Sequence, residues 1–212
     1  MPFRYGAAAM MAAICATLIV LVVRAVVDPP VETGVGMADR EAFIFQRIGT
    51  GLLGGLVYQL AFGWRGLPGY AGGLAWGAGG FAAAVLAPLA VMPALPPGVP
   101  PLEDAGQILF WLFTIALSGW GLWWLLRPDA AAGLKRRAFG VVLLLVPGLL
   151  APAEAWQEQT ALPETGGDPL AGLSAADFGL LFGLNLLFWL CLGFFSVLAA
   201  RRVMRQGVSP PG

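Results

Sequence analysis

A chain of 212 residues with no histidine lacks the commonest metal ligand and the side chain that titrates nearest neutrality. The residues still able to do chemistry are few. They are the thiols of Cys15 and Cys191, the amides of Gln59 and Asn185, and a polar group at the edges of apolar stretches, Glu41, Gln46, Arg47 and Glu154. Paired thiolates suit a soft ion such as Cu(I). A buried amide bonds a neighbouring helix or orients a substrate. Carboxylates beside an arginine gather and guide a cation. Haem held by imidazole is excluded, and so is a retinal Schiff base, because no lysine lies inside an apolar stretch.

The elements that must position these residues are apolar and long. Hydrophobic residues make up 58% of the chain and charged residues 11%, against about a quarter charged in an average soluble domain. Six apolar spans are legible, at about 7–27, 47–64, 71–92, 107–126, 137–151 and 178–200. A membrane crossing takes about 20 such residues. With the N-terminus in the cytoplasm, Arg4, Arg65, Arg127, Lys135, Arg136, Arg137, Arg201, Arg202 and Arg205 lie inside, and Arg24, Arg40 and Arg47 outside. That is the lysine and arginine bias of the positive-inside rule. Of the carboxylates only Asp129 falls inside. The reading is an all-α, polytopic protein of the bacterial inner membrane. It is a single transmembrane domain over 1–212 with about six helices and both termini cytoplasmic. The run after Arg4 is too long for the apolar region of a signal peptide and is taken as the first helix.

On this topology Glu41, Gln46, Arg47 and Glu154 gather at an external mouth, while Gln59 and Asn185 are intramembrane polar groups. Cys15 and Cys191 stand at similar depth in the first and last spans, and with Met11 they would form a soft site if those spans touched. Buried cysteine is ordinarily a small hydrophobe, so no metal site and no cofactor are expected. Gly51-x-x-x-Gly55, Gly73-x-x-x-Gly77 and Gly179-x-x-x-Gly183 are small-residue faces that let helix backbones approach closely. Trp123 and Trp124 beside Arg127, Trp111 at the other end of the fourth span, and Trp64 and Trp156 read as interfacial anchors.

Spans three and five both carry two prolines five apart near their external ends, Pro88 with Pro93 and Pro147 with Pro152. The match allows a degenerate repeat of hairpins; the plain alternative is that prolines end helices where loops begin. The 152–177 stretch, with five carboxylates and no base, is too long for a turn and either covers the mouth or docks a partner. No nucleotide-binding loop, dinucleotide fingerprint or nucleophile elbow is present, so an enzyme is the least expected class.

Three stretches resemble the CbtA family of predicted bacterial cobalt transporter components. The first is Phe45-Gln46-Arg47-Ile48-Gly49 followed by Gly54-Gly55-Leu56-Val57-Tyr58. The second runs from Gly80-Phe81 through Pro88 and Pro93 to Pro96-Pro97-Gly98-Val99. The third is Asp177 to Gly193, with Asn185, Phe188, Trp189 and Gly193. Leu89 to Met92 are apolar where family members often carry lysine and tyrosine, and Gly148 stands where some place histidine. The resemblance implies a divalent-cation transport component working with a small histidine-bearing partner, which would supply the nitrogen ligands this chain lacks. The alternative is a non-catalytic accessory subunit of a larger membrane complex. The bilayer and other membrane subunits are then its partners, and nucleic acid is not. Transport requires Gln59, Thr114, Ser118 and Asn185 to converge; a scaffold lets them scatter.

Overall fold

The computed structural model describes residues 2–27, 48–58, 69–92, 105–126, 133–151 and 175–206, which form helices and their immediate ends. We label these helices α1 (Pro2–Val27), α2 (Ile48–Tyr58), α3 (Tyr70–Val91), α4 (Ala105–Leu126), α5 (Leu134–Leu150) and α6 (Ala175–Gln206). Among the described residues, four segments are long and apolar enough to cross a membrane: Gly6–Val26, Tyr70–Val91, Ala105–Leu125 and Phe178–Arg202. α5 has 17 residues, the short end of the spanning range, and starts ahead of the expected span so that Lys135, Arg136 and Arg137 form its first turn. α2 covers the first half of the expected second span, whose remainder lies outside the described residues. α6, at 32 residues, runs beyond 200 to Gln206.

The chain divides into two compact units, Met1–Ala78 with Leu186–Gly212, and Gly79–Asn185. In the first, the buried face of α1 is made of Ala8, Ala9, Ala12, Ala13, Ala16, Thr17 and Val20, while Leu18 and Val22 are 54% and 63% exposed. A water-soluble helix would bury its largest apolar side chains. Here the small ones go inside and the large ones out. This is how helices pack in lipid, where tails solvate leucine and close backbone approach holds helices together. The chain is accordingly a multi-pass membrane protein.

Glycines make the approach possible. A Cβ on Gly55 would lie 3.1 Å from the Ala9 Cα, and one on Gly51 would lie 2.9 Å from the Ala13 Cβ, so α2 lies directly on α1. Gly54 faces the other way, where a Cβ would be 3.0 Å from Leu192 on α6. A Cβ on Gly193 of α6 would run into the Gly73 carbonyl of α3, and one on Gly77 into the Trp189 carbonyl. Around these contacts Tyr58, Phe188, Leu192 and Val197 are wholly buried. The Tyr58 and Trp76 rings meet edge to face at 5.1 Å, and Trp76 lies 6.3 Å from Trp189.

In the second unit α4 packs along α5 and against the middle of α3. A Cβ on Gly121 would stand 2.7 Å from the Gly140 carbonyl oxygen, and the reverse distance is 2.8 Å. Phe81 and Phe182 meet edge to face at 5.0 Å. On the other side of α5, Phe139 takes the edges of Trp120 and Trp124.

Pro88 and Pro147 do not end their helices. α3 continues to Val91 and α5 to Leu150, with both rings buried. A proline within a helix removes an N–H and its ring presses on the carbonyl four residues earlier. α3 answers by widening into a π-helical turn over Ala82–Leu86. α5 stays α-helical around Pro147.

Candidate functional site

The π turn leaves a mark on the backbone. Ala87 donates its N–H to the Ala82 carbonyl, five residues back. The next carbonyl, that of Ala83, therefore loses its α-helical donor, and five residues on it meets Pro88, which has no N–H to give. Further along, the Met92 N–H goes to the Pro88 carbonyl at 2.6 Å. Ala83 is buried, and the Ala87 N–H that an α-helix would give its carbonyl goes to Ala82 instead. Leaving such an acceptor unsatisfied costs about 1–3 kcal/mol, and π turns occur most often where a function needs them.

α4 covers this turn. The Cβ of a residue at Gly119 would be 3.8 Å from the Ala83 Cβ. The buried positions of α4 are Thr114, Ser118 and Gly121, spaced by four and three residues and so aligned on one face. Leu125 and Trp124 continue this face beyond Gly121, and both stand against Gly140 of α5. Thr114 donates its hydroxyl to the Phe110 carbonyl at 2.9 Å. Ser118 is 0% exposed, and its Oγ makes no hydrogen bond among the described residues. Asn185, also fully buried in this unit, donates its Nδ2 to the Leu181 carbonyl at 2.9 Å.

Three of the four residues whose convergence separates transport from scaffolding, Thr114, Ser118 and Asn185, are thus buried in the same unit. No family model, no curated protein and no solved structure matches the chain. The site has to be read from its own chemistry. That chemistry is neutral oxygen: two hydroxyls, an amide and a carbonyl freed from its helix. Such atoms accept hydrogen bonds and favour hard, oxygen-seeking guests over soft ones.

The remaining expected positions fall in several places. Glu41, Gln46, Arg47, Glu154 and Gln59 lie outside the described residues. Gly51, Gly55, Gly73 and Gly77 lie against the atoms of neighbouring helices. At Gly179 and Gly183 no described atom lies within 4 Å of a built Cβ. Both glycines are exposed among the described residues. Cys15 and Cys191 are free and half-buried, and no group of three or more Cys, Asp or Glu side chains gathers among the described residues.

Sequence reasoning missed Ala83, Gly121 and Gly140, and named Gly193 without its packing role. The signal for the first was present: Pro88 follows the apolar run Phe81–Ala87, and the run continues beyond it. The three glycines have no glycine four residues away, so a spacing rule passes over them.

Proposed function

We propose that this chain is the integral membrane subunit of a cation transport system, of the kind the CbtA resemblance implies. It would act with a small partner that brings nitrogen ligands. The observation that carries the reading is the Ser118 hydroxyl, buried and without a hydrogen bond among the described residues, next in sequence to the Gly119 that approaches Ala83 in the π turn. Transporters commonly place their sites where a membrane helix is interrupted and its carbonyls are released. External carboxylates, including Glu41 and Glu154, would raise the local cation concentration at the mouth. The interior, made of neutral oxygens, would pass the ion without holding it.

The six-span topology with cytoplasmic termini belongs to this proposal. Lys135, Arg136 and Arg137 in the first turn of α5 support it. Cations at a helix N-terminus oppose the dipole by about 0.3–1 kcal/mol each. Attraction to anionic lipid at the cytoplasmic surface is worth about 1 kcal/mol per basic residue, which offsets the penalty when that end faces the cytoplasm. Trp124 lies under Arg136 at 5.7 Å, in keeping with an interfacial level.

A second reading, a non-catalytic accessory subunit, is favoured by one observation. The described helix faces are closed by backbone contact, at Gly55 on Ala9, Gly73 on Gly193 and Gly121 on Gly140, which suits a protein built for packing.

Purification of the tagged chain from native membranes in mild detergent separates the two. A lone, small, histidine-bearing single-span companion supports transport. A large complex holding this chain at fixed ratio sinks that reading. In a background with Cys15 and Cys191 replaced by alanine, Ser118→Cys then tests the path itself. Transport requires a membrane-impermeant thiol reagent to reach it from the water, and a scaffold keeps it unreactive.

A further inference from the structure

The first unit carries a feature that a transport path does not use. Tyr70 opens α3, and its ring stacks on Phe194 of α6 at 5.2 Å with 27° between planes. The two rings can meet because Gly73 and Gly193 bring the α3 and α6 backbones together just beyond them. Tyr70, Leu74 and Phe194 are each partly exposed, at 39%, 41% and 38%, so they form an apolar strip along the outside of the α3–α6 contact. At its end the Arg201 guanidinium sits over the Tyr70 ring at 4.5 Å, and Arg202 beside it is exposed.

We propose that this strip and its two arginines bind an anionic phospholipid, with the headgroup phosphate on Arg201 and Arg202 and an acyl chain along Tyr70, Leu74 and Phe194. The chemistry of each part matches one part of the lipid. A guanidinium stacked on an aromatic ring uses its face for that contact. Its N–H edge stays available, and that fork matches phosphate oxygens as a lysine ammonium does not. Basic sites between membrane helices are where anionic headgroups bind. A zwitterionic lipid gives the same tail contacts without the net negative charge.

The test uses the full-length chain in mild detergent, read by native mass spectrometry with phosphatidylglycerol and phosphatidylcholine of identical acyl chains at equal concentration. The wild type is expected to retain phosphatidylglycerol preferentially. R201Q/R202Q is expected to lower that preference by roughly tenfold or more, a few-fold for each guanidinium. K135Q/R136Q/R137Q, which removes more charge from a different helix end, leaves it intact. Tyr70→Leu weakens retention and Tyr70→Phe preserves it. Should R201Q/R202Q not fold, R201K/R202K keeps the charge but loses the fork and the stacking, and is expected to lower the preference partially. Equal retention of both lipids overturns the proposal. So does an equal loss in the Lys135–Arg137 variant, which would mark a general charge effect. Displacement of the lipid by millimolar inorganic phosphate also overturns it, because the acyl strip would then play no part.

Discussion

Gly121 and Gly140 face each other backbone to backbone across the α4–α5 contact, each placed so that a Cβ would come within 2.8 Å of the other's carbonyl oxygen. The relation is reciprocal, and the nearest atom on each side is a backbone oxygen, which cannot swing aside as a side chain can. Gly121→Ala and Gly140→Ala are each expected to destabilise the protein by about 1–3 kcal/mol, the usual cost of overpacking. The double variant should cost less than the sum, since the first forces the helices apart and makes room for the second. Thermal unfolding of all three in one detergent checks this, and strict additivity would contradict the contact.

Glycines that look alike in sequence should respond differently. Gly73→Ala drives a methyl into Gly193 and Val197 of α6, whereas Gly179→Ala and Gly183→Ala meet nothing within 4 Å among the described residues. The first is expected to lower the melting temperature by several degrees. The other two should leave it level or raise it slightly, since alanine is the better helix former by about 1 kcal/mol.

Ser118→Ala removes a hydroxyl that is buried and has no described partner. Its loss is expected to be neutral or to stabilise by up to about 1 kcal/mol, because an unsatisfied polar group disappears with it. If the transport proposal holds, the same variant loses cation flux while gaining or keeping stability. A drop of more than about 2 kcal/mol in unfolding experiments would instead show that Ser118 is hydrogen-bonded.

Pro88→Ala restores an N–H to α3 and removes the reason for the π turn. The turn is expected to revert to α-helix, rotating the residues after it by about 100°. Met92, now 4% exposed, would leave the interior. In the cysteine-free background a thiol at Met92→Cys should be protected with Pro88 present and reactive once Pro88→Ala is added.

Much of this architecture was legible in the residues. The four long apolar helices follow from runs such as Gly6–Val26 and Phe178–Arg202, because in lipid every backbone group must be bonded within the helix. The faces at Gly51, Gly55, Gly73 and Gly77 were visible as pairs four apart. The fate of Pro88 was not, since a proline at the end of an apolar run equally suits a terminator or a broken helix. Trp189 went to the interior of the first unit and Trp76 lies half-buried beside it, a choice that residue type alone does not make. Composition does not distinguish a ring that faces lipid from one that faces a glycine.

By itself the sequence determined that the chain enters a membrane as helices, about where those helices run, and that imidazole plays no part in its chemistry. These follow from local quantities, hydropathy and residue type, which need no knowledge of neighbours. Only the tertiary structure decided which small residues touch. It paired Gly193 with Gly73 and Gly140 with Gly121, left Gly179 and Gly183 without a described neighbour, set Gly119 against Ala83, buried the Ser118 hydroxyl, and laid Arg201 on Tyr70. In lipid no hydrophobic gain favours one apolar face over another. The choice rests on whether two surfaces fit at contact distance, a property of pairs that no single stretch of sequence carries.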